Sequence, residues 1–142
     1  MNNAIRVLIL CTGNSARSQM AEGLLRFDGG ERFQVESAGV EPTSVRTEAI
    51  EVMREIGVDI SGHRSKSIEE FTGREFDYVI TICDNANERC PVFPGNVKRI
   101  HWSFEDPAAA IGDEGKRLNV FRRVRDEIRE RLRRSLIDPL HL

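Results

Sequence analysis

Cys11, Arg17 and Ser18 stand within the stretch LILCTGNSARSQMAEGLL, residues 8–25. An apolar run ends at Cys11, and small or polar residues follow as Thr12, Gly13, Asn14, Ser15 and Ala16. Arg17 and Ser18 then open an amphipathic pattern. A loop that wraps from a strand into a helix turns successive backbone N–H groups toward a common centre, and the helix N-terminus adds positive potential there. Gly13 permits backbone conformations that other residues resist. Asn14 tolerates a left-handed conformation and can hydrogen-bond across the loop. An arginine in the position of Arg17 can make two parallel hydrogen bonds to a tetrahedral oxyanion. Thiols at helix N-termini beside an arginine ionise more readily than ordinary ones, and Ser18 can offer its hydroxyl to the Cys11 sulfur. Thr12, Gly13, Asn14, Ser15, Ala16, Arg17 and Ser18 thus read as an oxyanion-binding loop headed by a nucleophile, Cys11. A cysteine buried only for packing needs neither this loop nor this arginine.

The chain has two further cysteines, Cys83 and Cys90. An odd count argues against a purely structural disulfide framework and for catalysis, redox exchange or metal binding. Metal is the weakest of these: no Cys-x2-Cys pair exists, and His63, His101 and His141 lie at no ligand spacing, so no metal site is expected. The histidines read as surface or hydrogen-bonded residues. Asp106-Pro107 is a candidate for a held loop carboxyl, because proline restricts the residue before it. A simple turn is the plainer reading of the same pair.

The elements that must position these residues follow from hydrophobic periodicity. IRVLIL (5–10), FQVESA (33–38), DYVITI (77–82) and VKRIHW (97–102) read as buried strands. Between them, Met20, Leu24 and Phe27 share one helical face, with Ala21 and Leu25 beside them. Val45, Ala49, Met53 and Ile56 share another, and Gly57 follows as a stop signal. From Asp113 to Leu136, the residues Leu118, Phe121, Val124 or Arg125, Ile128 and Leu132 form a long apolar stripe. Its Arg-rich opposite face also carries Asp126, Glu127 and Glu130 and reads as a solvated surface. Alternating strands and helices imply a parallel sheet with right-handed crossovers. Ligands in such folds bind beyond the carboxyl ends of the strands. Cys11, Cys83 and Asp106 each come near the end of a strand, so one sheet edge can gather all three.

With 142 residues, 39% of them hydrophobic and 31% charged, the chain suits one soluble domain spanning 1–142. A net charge of -2 gives no reason to expect nucleic acid or an anionic membrane. No apolar run approaches the ~20 residues of a membrane span. MNNAIRVLILC lacks the features of a signal peptide, so a cytoplasmic location is expected.

Cys-x5-Arg-Ser after an N-terminal strand, together with VESAGV (35–40), FDYVITIC (76–83) and WSFEDPA (102–108), resembles the low-molecular-weight protein tyrosine phosphatases and the arsenate reductases built on their fold. The resemblance covers essentially the whole chain. It implies a single-domain three-layer α/β/α sandwich with a four-stranded parallel sheet. It makes Cys11 the attacking nucleophile, Arg17 an anion ligand and Asp106 the general acid.

The other cysteines separate the two activities. Phosphoester hydrolysis has no use for Cys83 or Cys90, whereas arsenate reduction needs two electrons, which a pair of thiols can supply. CDNANERCP (83–91) resembles the redox segment of the thioredoxin-coupled arsenate reductases. The reading that follows is reduction of arsenate to arsenite for detoxification, with Cys11, Cys83 and Cys90 as a relay. Thioredoxin is the expected electron donor, with glutaredoxin as the alternative, and phosphate or sulfate are competing oxyanions. Ala16 stands where the phosphatases typically carry a second cysteine, and Ala108-Ala109-Ala110 follow Asp106-Pro107 where they tend to place a tyrosine. The rival reading is a phosphatase acting on phosphomonoesters through a Cys11 phosphocysteine; a redox or arsenic sensor is a more distant one. A monomer is expected, and no organic cofactor.

Two further expectations concern geometry and cations. A disulfide needs Cα atoms ~4.4–6.8 Å apart, while Cys83 and Cys90 on one helix would stand about 10 Å apart at 1.5 Å per residue. Residues 84–90 are therefore expected to rearrange in turnover. Some thioredoxin-coupled reductases bind potassium near the loop, and Asn14, Glu22 and Ser37 match part of that site. The aspartate expected after His63 is absent, and the chain reads Arg64-Ser65-Lys66-Ser67. An ammonium from Lys66 could supply the positive charge instead.

Overall fold

A computed structural model describes residues 3–140; Met1, Asn2, His141 and Leu142 lie outside the described residues, so the reading of His141 is not addressed. Four parallel strands form one sheet: β1 (Ile5–Cys11), β2 (Phe33–Gly39), β3 (Tyr78–Thr81) and β4 (Lys98–His101), in the order β2-β1-β3-β4. The helices are α1 (Arg17–Gly29), α2 (Thr47–Arg54), the short α3 (Asp84–Glu88) and α4 (Glu114–Leu132). The α/β architecture is the expected one.

Val7, Leu8, Ile9 and Leu10 are all fully buried. Successive strand residues face opposite sides of the sheet, so both faces of β1 are covered. That explains why its sequence is a continuous apolar run rather than an alternation. Leu24, Met53, Phe121, Val124, Ile128 and Leu132 bring α1, α2 and α4 into the same core. In α4, Val124 and Arg125 are both buried; Arg125 donates to the Val52 carbonyl at 2.8 Å and pairs with Glu55 at 3.1 Å. Among the described residues no helix is long and apolar enough to cross a membrane.

Three expectations are corrected. β4 is not buried: Lys98, Arg99 and His101 are exposed and Ile100 half-buried, at one edge of the sheet. Phe27 does not join the apolar face of α1 but stands 56% exposed. It borders a surface groove with Gly57, Val58 and His63. In α2 the buried residues are Ala49, Val52 and Met53, while Val45 and Ile56 lie outside the helix and only half-buried.

The register pairs Cys11 with Gly39 on β2, and Leu10 with Thr81 on β3. The chain leaves β1 for β2 on one side and reaches β3 on the other, so the strand order reverses at β1. A crevice at such a reversal is where ligands bind in open α/β sheets.

Candidate active site

Cys11 is the last residue of β1 rather than the first beyond it, and it is 2% exposed. The loop after it turns its carbonyls outward. Those of Cys11, Thr12, Gly13 and Ser15 accept N–H groups of Val40, Glu41, Thr43 and Arg46 at 2.8–3.2 Å. The Asn14 carbonyl accepts Gln19 Nε2 at 3.1 Å, and that of Ala16 the N–H of Met20 at 2.9 Å. With the carbonyls engaged outside, the N–H groups are left to the concave side. Asn14 holds the left-handed turn with φ 49°, as its type suggested.

The concave side is a cavity of about 270 Å³ lined by Cys11, Thr12, Gly13, Ser15, Ala16, Arg17, Glu41, Thr43 and Asp106. That is just below the ~300–1,000 Å³ usual for organic ligands and is ample for a tetrahedral oxyanion. Arg17 is tethered by donation to the Phe104 carbonyl at 2.9 Å, which ties it to the segment leading to Asp106. Asp106 accepts the Ala108 N–H at 3.0 Å and caps the turn that Pro107 begins. The pair is therefore both a turn and a means of holding the carboxyl at the cavity.

Asn14 and Ser18 belong to the loop but not to the cavity wall. Both are fully buried beneath it. Asn14 Nδ2 donates to Ser18 Oγ at 2.7 Å and to Ser37 Oγ at 2.9 Å. Ser18 Oγ lies 2.8 Å from Cys11 Sγ. Because the Ser18 oxygen already accepts from Asn14, its own hydrogen is free to point at the sulfur. Their side chains lie beneath Cys11 and do not line the cavity.

Cys83 is buried just past β3, with its sulfur 3.2 Å from Thr12 Oγ1 and accepting the Ala86 N–H at 3.4 Å. The topology thus brings Cys83 against the residue that follows Cys11. Cys90 lies beyond the end of α3 and is half-buried, with its sulfur donating to the Pro91 carbonyl at 3.5 Å. Burial pushes the Cys90 thiol up from its ordinary range, against a smaller opposing effect of Arg99.

The sequence pattern alone missed several supports. Gly39 is one: a Cβ there would lie 2.6 Å from the Thr12 carbonyl oxygen and 2.8 Å from the Asn14 nitrogen. Ser65 donates to the Gly13 carbonyl at 2.8 Å. Gln19 links Asn14 Oδ1, at 2.9 Å, to His63 Nδ1, also at 2.9 Å. Burial lowers the His63 pKa, opposed by Glu22, so the ring favours its neutral form.

Asn14, Glu22 and Ser37 do come together, but not as a potassium site. Asn14 Oδ1, the amide atom that could ligate a cation, already accepts from Gln19 and from the Lys66 N–H at 2.8 Å. Lys66 Nζ stands 3.5 Å from Glu22 Oε1. These residues as arranged do not fit a bound potassium ion.

The parallel sheet thus carries, at the carboxyl end of β1, a cysteine-headed loop around a cavity that a capped aspartate also lines. The sequence profile described as low molecular weight phosphotyrosine protein phosphatase matches residues 6–140, and the chain belongs to that family. It is 48% identical over 127 residues to arsenate reductase 2 of Staphylococcus saprophyticus, covering 89% of this chain and 92% of that one. A solved arsenate reductase in the phosphate-binding state is similar at TM-score 0.78 and 36% identity, covering 96% of this chain and 99% of that one. The thioredoxin-dependent arsenate reductase of Corynebacterium glutamicum is similar at TM-score 0.68 and 30% identity, over 89% of this chain and 59% of that one.

Proposed function

We propose that this chain reduces arsenate to arsenite, drawing electrons from thioredoxin in the cytoplasm and so serving arsenic detoxification. The observation that carries this reading is the placement of the Cys83 sulfur 3.2 Å from Thr12 Oγ1, beside the nucleophile's own loop. A phosphatase needs no second thiol there.

Arsenate sits on the loop N–H groups and Arg17. The Cys11 thiolate attacks arsenic, and Asp106 protonates the departing oxygen, which leaves as water. Cys83, as thiolate, then attacks the Cys11 sulfur. The electron pair of the As–S bond returns to arsenic, which leaves as arsenite, and a Cys11–Cys83 disulfide remains. Cys90 attacks Cys83 and frees Cys11 as thiolate. Two thiols have then become the Cys83–Cys90 disulfide, matching the two electrons gained by arsenic. Thioredoxin reduces that disulfide. Val92, close by in sequence, is 89% exposed.

The test is arsenate-dependent NADPH oxidation with thioredoxin and thioredoxin reductase, alongside hydrolysis of an aryl phosphate. Turnover of arsenate is expected in the wild type and is lost in Cys83→Ser and in Cys90→Ser. Aryl phosphate hydrolysis that survives in both variants, with no arsenate turnover in the wild type, would make the chain a phosphatase. Replacing thioredoxin by glutaredoxin and glutathione in the same assay distinguishes the donors.

A further inference from the structure

Behind the oxyanion loop, away from the cavity, lies a buried carboxylate that the proposed reaction does not use. Glu22 is 2% exposed. Its Oε1 accepts the hydroxyl of Ser37, and Ser37 in turn accepts from Asn14 Nδ2 at 2.9 Å. Asn14 also donates to Ser18, which stands against the Cys11 sulfur. In this run of hydrogen bonds Asn14 donates to Ser18 and to Ser37, and Ser37 donates onward to the carboxylate of Glu22, where the run ends. An ionised carboxylate this deep requires a cation close by.

Three basic side chains approach Glu22. Arg26 reaches Oε2 at 3.1 Å from a half-exposed position on the same helix, α1. His63 stands 3.8 Å from Oε2, and burial favours its neutral form. Lys66 brings a primary ammonium from a buried position: it is 8% exposed and its Nζ lies 3.5 Å from Oε1, the oxygen that also receives Ser37. The backbone of the same residue grips the loop. Its N–H donates to Asn14 Oδ1 at 2.8 Å, and its carbonyl accepts the Gly39 N–H at 2.8 Å.

We propose that the ammonium of Lys66 is a tethered cation for the oxyanion loop, a positioning residue that keeps Glu22 charged and so holds Asn14 and Ser18 in place beneath Cys11. It follows that the loop works without a dissolved monovalent cation. A cation carried on the chain is present at every ionic composition, whereas a bound ion must be recruited from solution.

The inference rests on Cys11 as the loop's nucleophile, and its test avoids arsenate turnover so that the two stand or fall separately. Inorganic phosphate is the probe, read as protection of the Cys11 peptide from iodoacetamide, with mass spectrometric detection. Wild type, Lys66→Ala and Lys66→Met are compared in potassium, sodium and choline chlorides at equal ionic strength. Wild-type phosphate affinity is expected to be the same in all three salts. Lys66→Ala opens a space beside Glu22. It is expected to bind phosphate roughly tenfold more weakly in choline, a usual effect of losing an outer supporting group, and to recover in potassium or sodium. Lys66→Met fills the space with apolar atoms and is expected to stay weak in every salt. A packing role alone would give Lys66→Ala the same loss in every salt and leave Lys66→Met near wild type, which overturns the proposal. So does a wild type that tightens on adding potassium. Should Lys66→Ala not fold, Glu22→Gln combined with Lys66→Met removes both charges. Folded protein with salt-indifferent phosphate binding supports the proposal, and a double variant that still needs an added cation refutes it.

Discussion

The oxyanion loop and the redox segment meet at Thr12 and Cys83, yet they are built in opposite ways. Residues 11–18 are held from every side. Their carbonyls are taken by residues 40–46 and Gln19, and the side chains of Asn14 and Ser18 are fully buried in a closed set of hydrogen bonds. Residues 84–92 have little of this. The helix there is the five-residue Asp84–Glu88, too short to be stable by itself. Among the described residues its hydrogen bonds are mostly long or at the surface: Ala86 N–H to the Cys83 sulfur and Thr81 Oγ1 to Asn87 Oδ1, both at 3.4 Å, Asn87 N–H to the Cys83 carbonyl at 3.1 Å, and the largely exposed Asp84 to His101 at 3.0 Å and to Ser103 at 3.2 Å. An ion pair joining this segment to the cavity rim, Arg89 with Glu41 at 3.4 Å, is itself exposed and of the kind worth ~0–1 kcal/mol.

This difference fits the two jobs in the proposed cycle. Binding and attack on a tetrahedral centre gain from a site that does not reorganise. Disulfide relay requires one sulfur to meet two partners in turn, which a rigid segment forbids. Local opening is cheap where buried contacts and protected hydrogen bonds are few.

The contrast can be broken most severely on the rigid side. In Gly39→Ala the new Cβ meets backbone, the Thr12 carbonyl oxygen at 2.6 Å, rather than a side chain able to move aside. The loop must shift, and phosphate affinity is expected to fall roughly a hundredfold, the scale of misplacing a site by about 1 Å. Calorimetric titration with phosphate measures this. A near-normal affinity would mean that the loop is softer than its hydrogen bonds imply.

Hydrogen exchange sharpens the comparison. Amides of residues 84–90 are expected to exchange roughly tenfold or more faster than those of 12–18 in the reduced protein, and to change their protection when Cys83 and Cys90 are oxidised. The loop amides should be nearly indifferent to oxidation. Equal protection of the two segments, or no change at 84–90, would remove the idea that the redox segment rearranges.

The smallest expected effect concerns pH. Burial holds the Cys90 thiol in its neutral form, and only the thiolate attacks a disulfide. The transfer from Cys11–Cys83 to Cys83–Cys90 should therefore keep accelerating above pH ~8.5, where an ordinary thiol is half ionised. Arg99 opposes the shift, so Arg99→Ala should move the profile modestly further alkaline. Rapid-quench trapping of the mixed species measures both profiles, and a rate already level below neutral pH would count against the assignment of Cys90.

Much of this was legible in the residues. The apolar run of β1, the stripe of α4 and the loop headed by Cys11 follow from periodicity and from the chemistry of small residues near an arginine. Less legible were features set by what lies alongside. Lys98 and Arg99 sit in a run that looked buried, and only the strand order makes β4 an edge. Phe27 has the right spacing for the core, yet it stands largely exposed.

Sequence by itself determined the course of the loop after β1, because its conformation is local: a left-handed Asn14, a helix starting at Arg17 and a thiol at the strand's end. It also determined that three thiols were available for a relay. Tertiary structure decided which of them meet. Cys83 comes to Thr12 only because β1 and β3 are neighbours, with Leu10 beside Thr81. It decided, too, that Gly39 must lack a side chain and that Lys66 faces Glu22, across 44 residues, rather than solvent. Such contacts depend on the packing of strands and segments distant in sequence, and no local pattern encodes them.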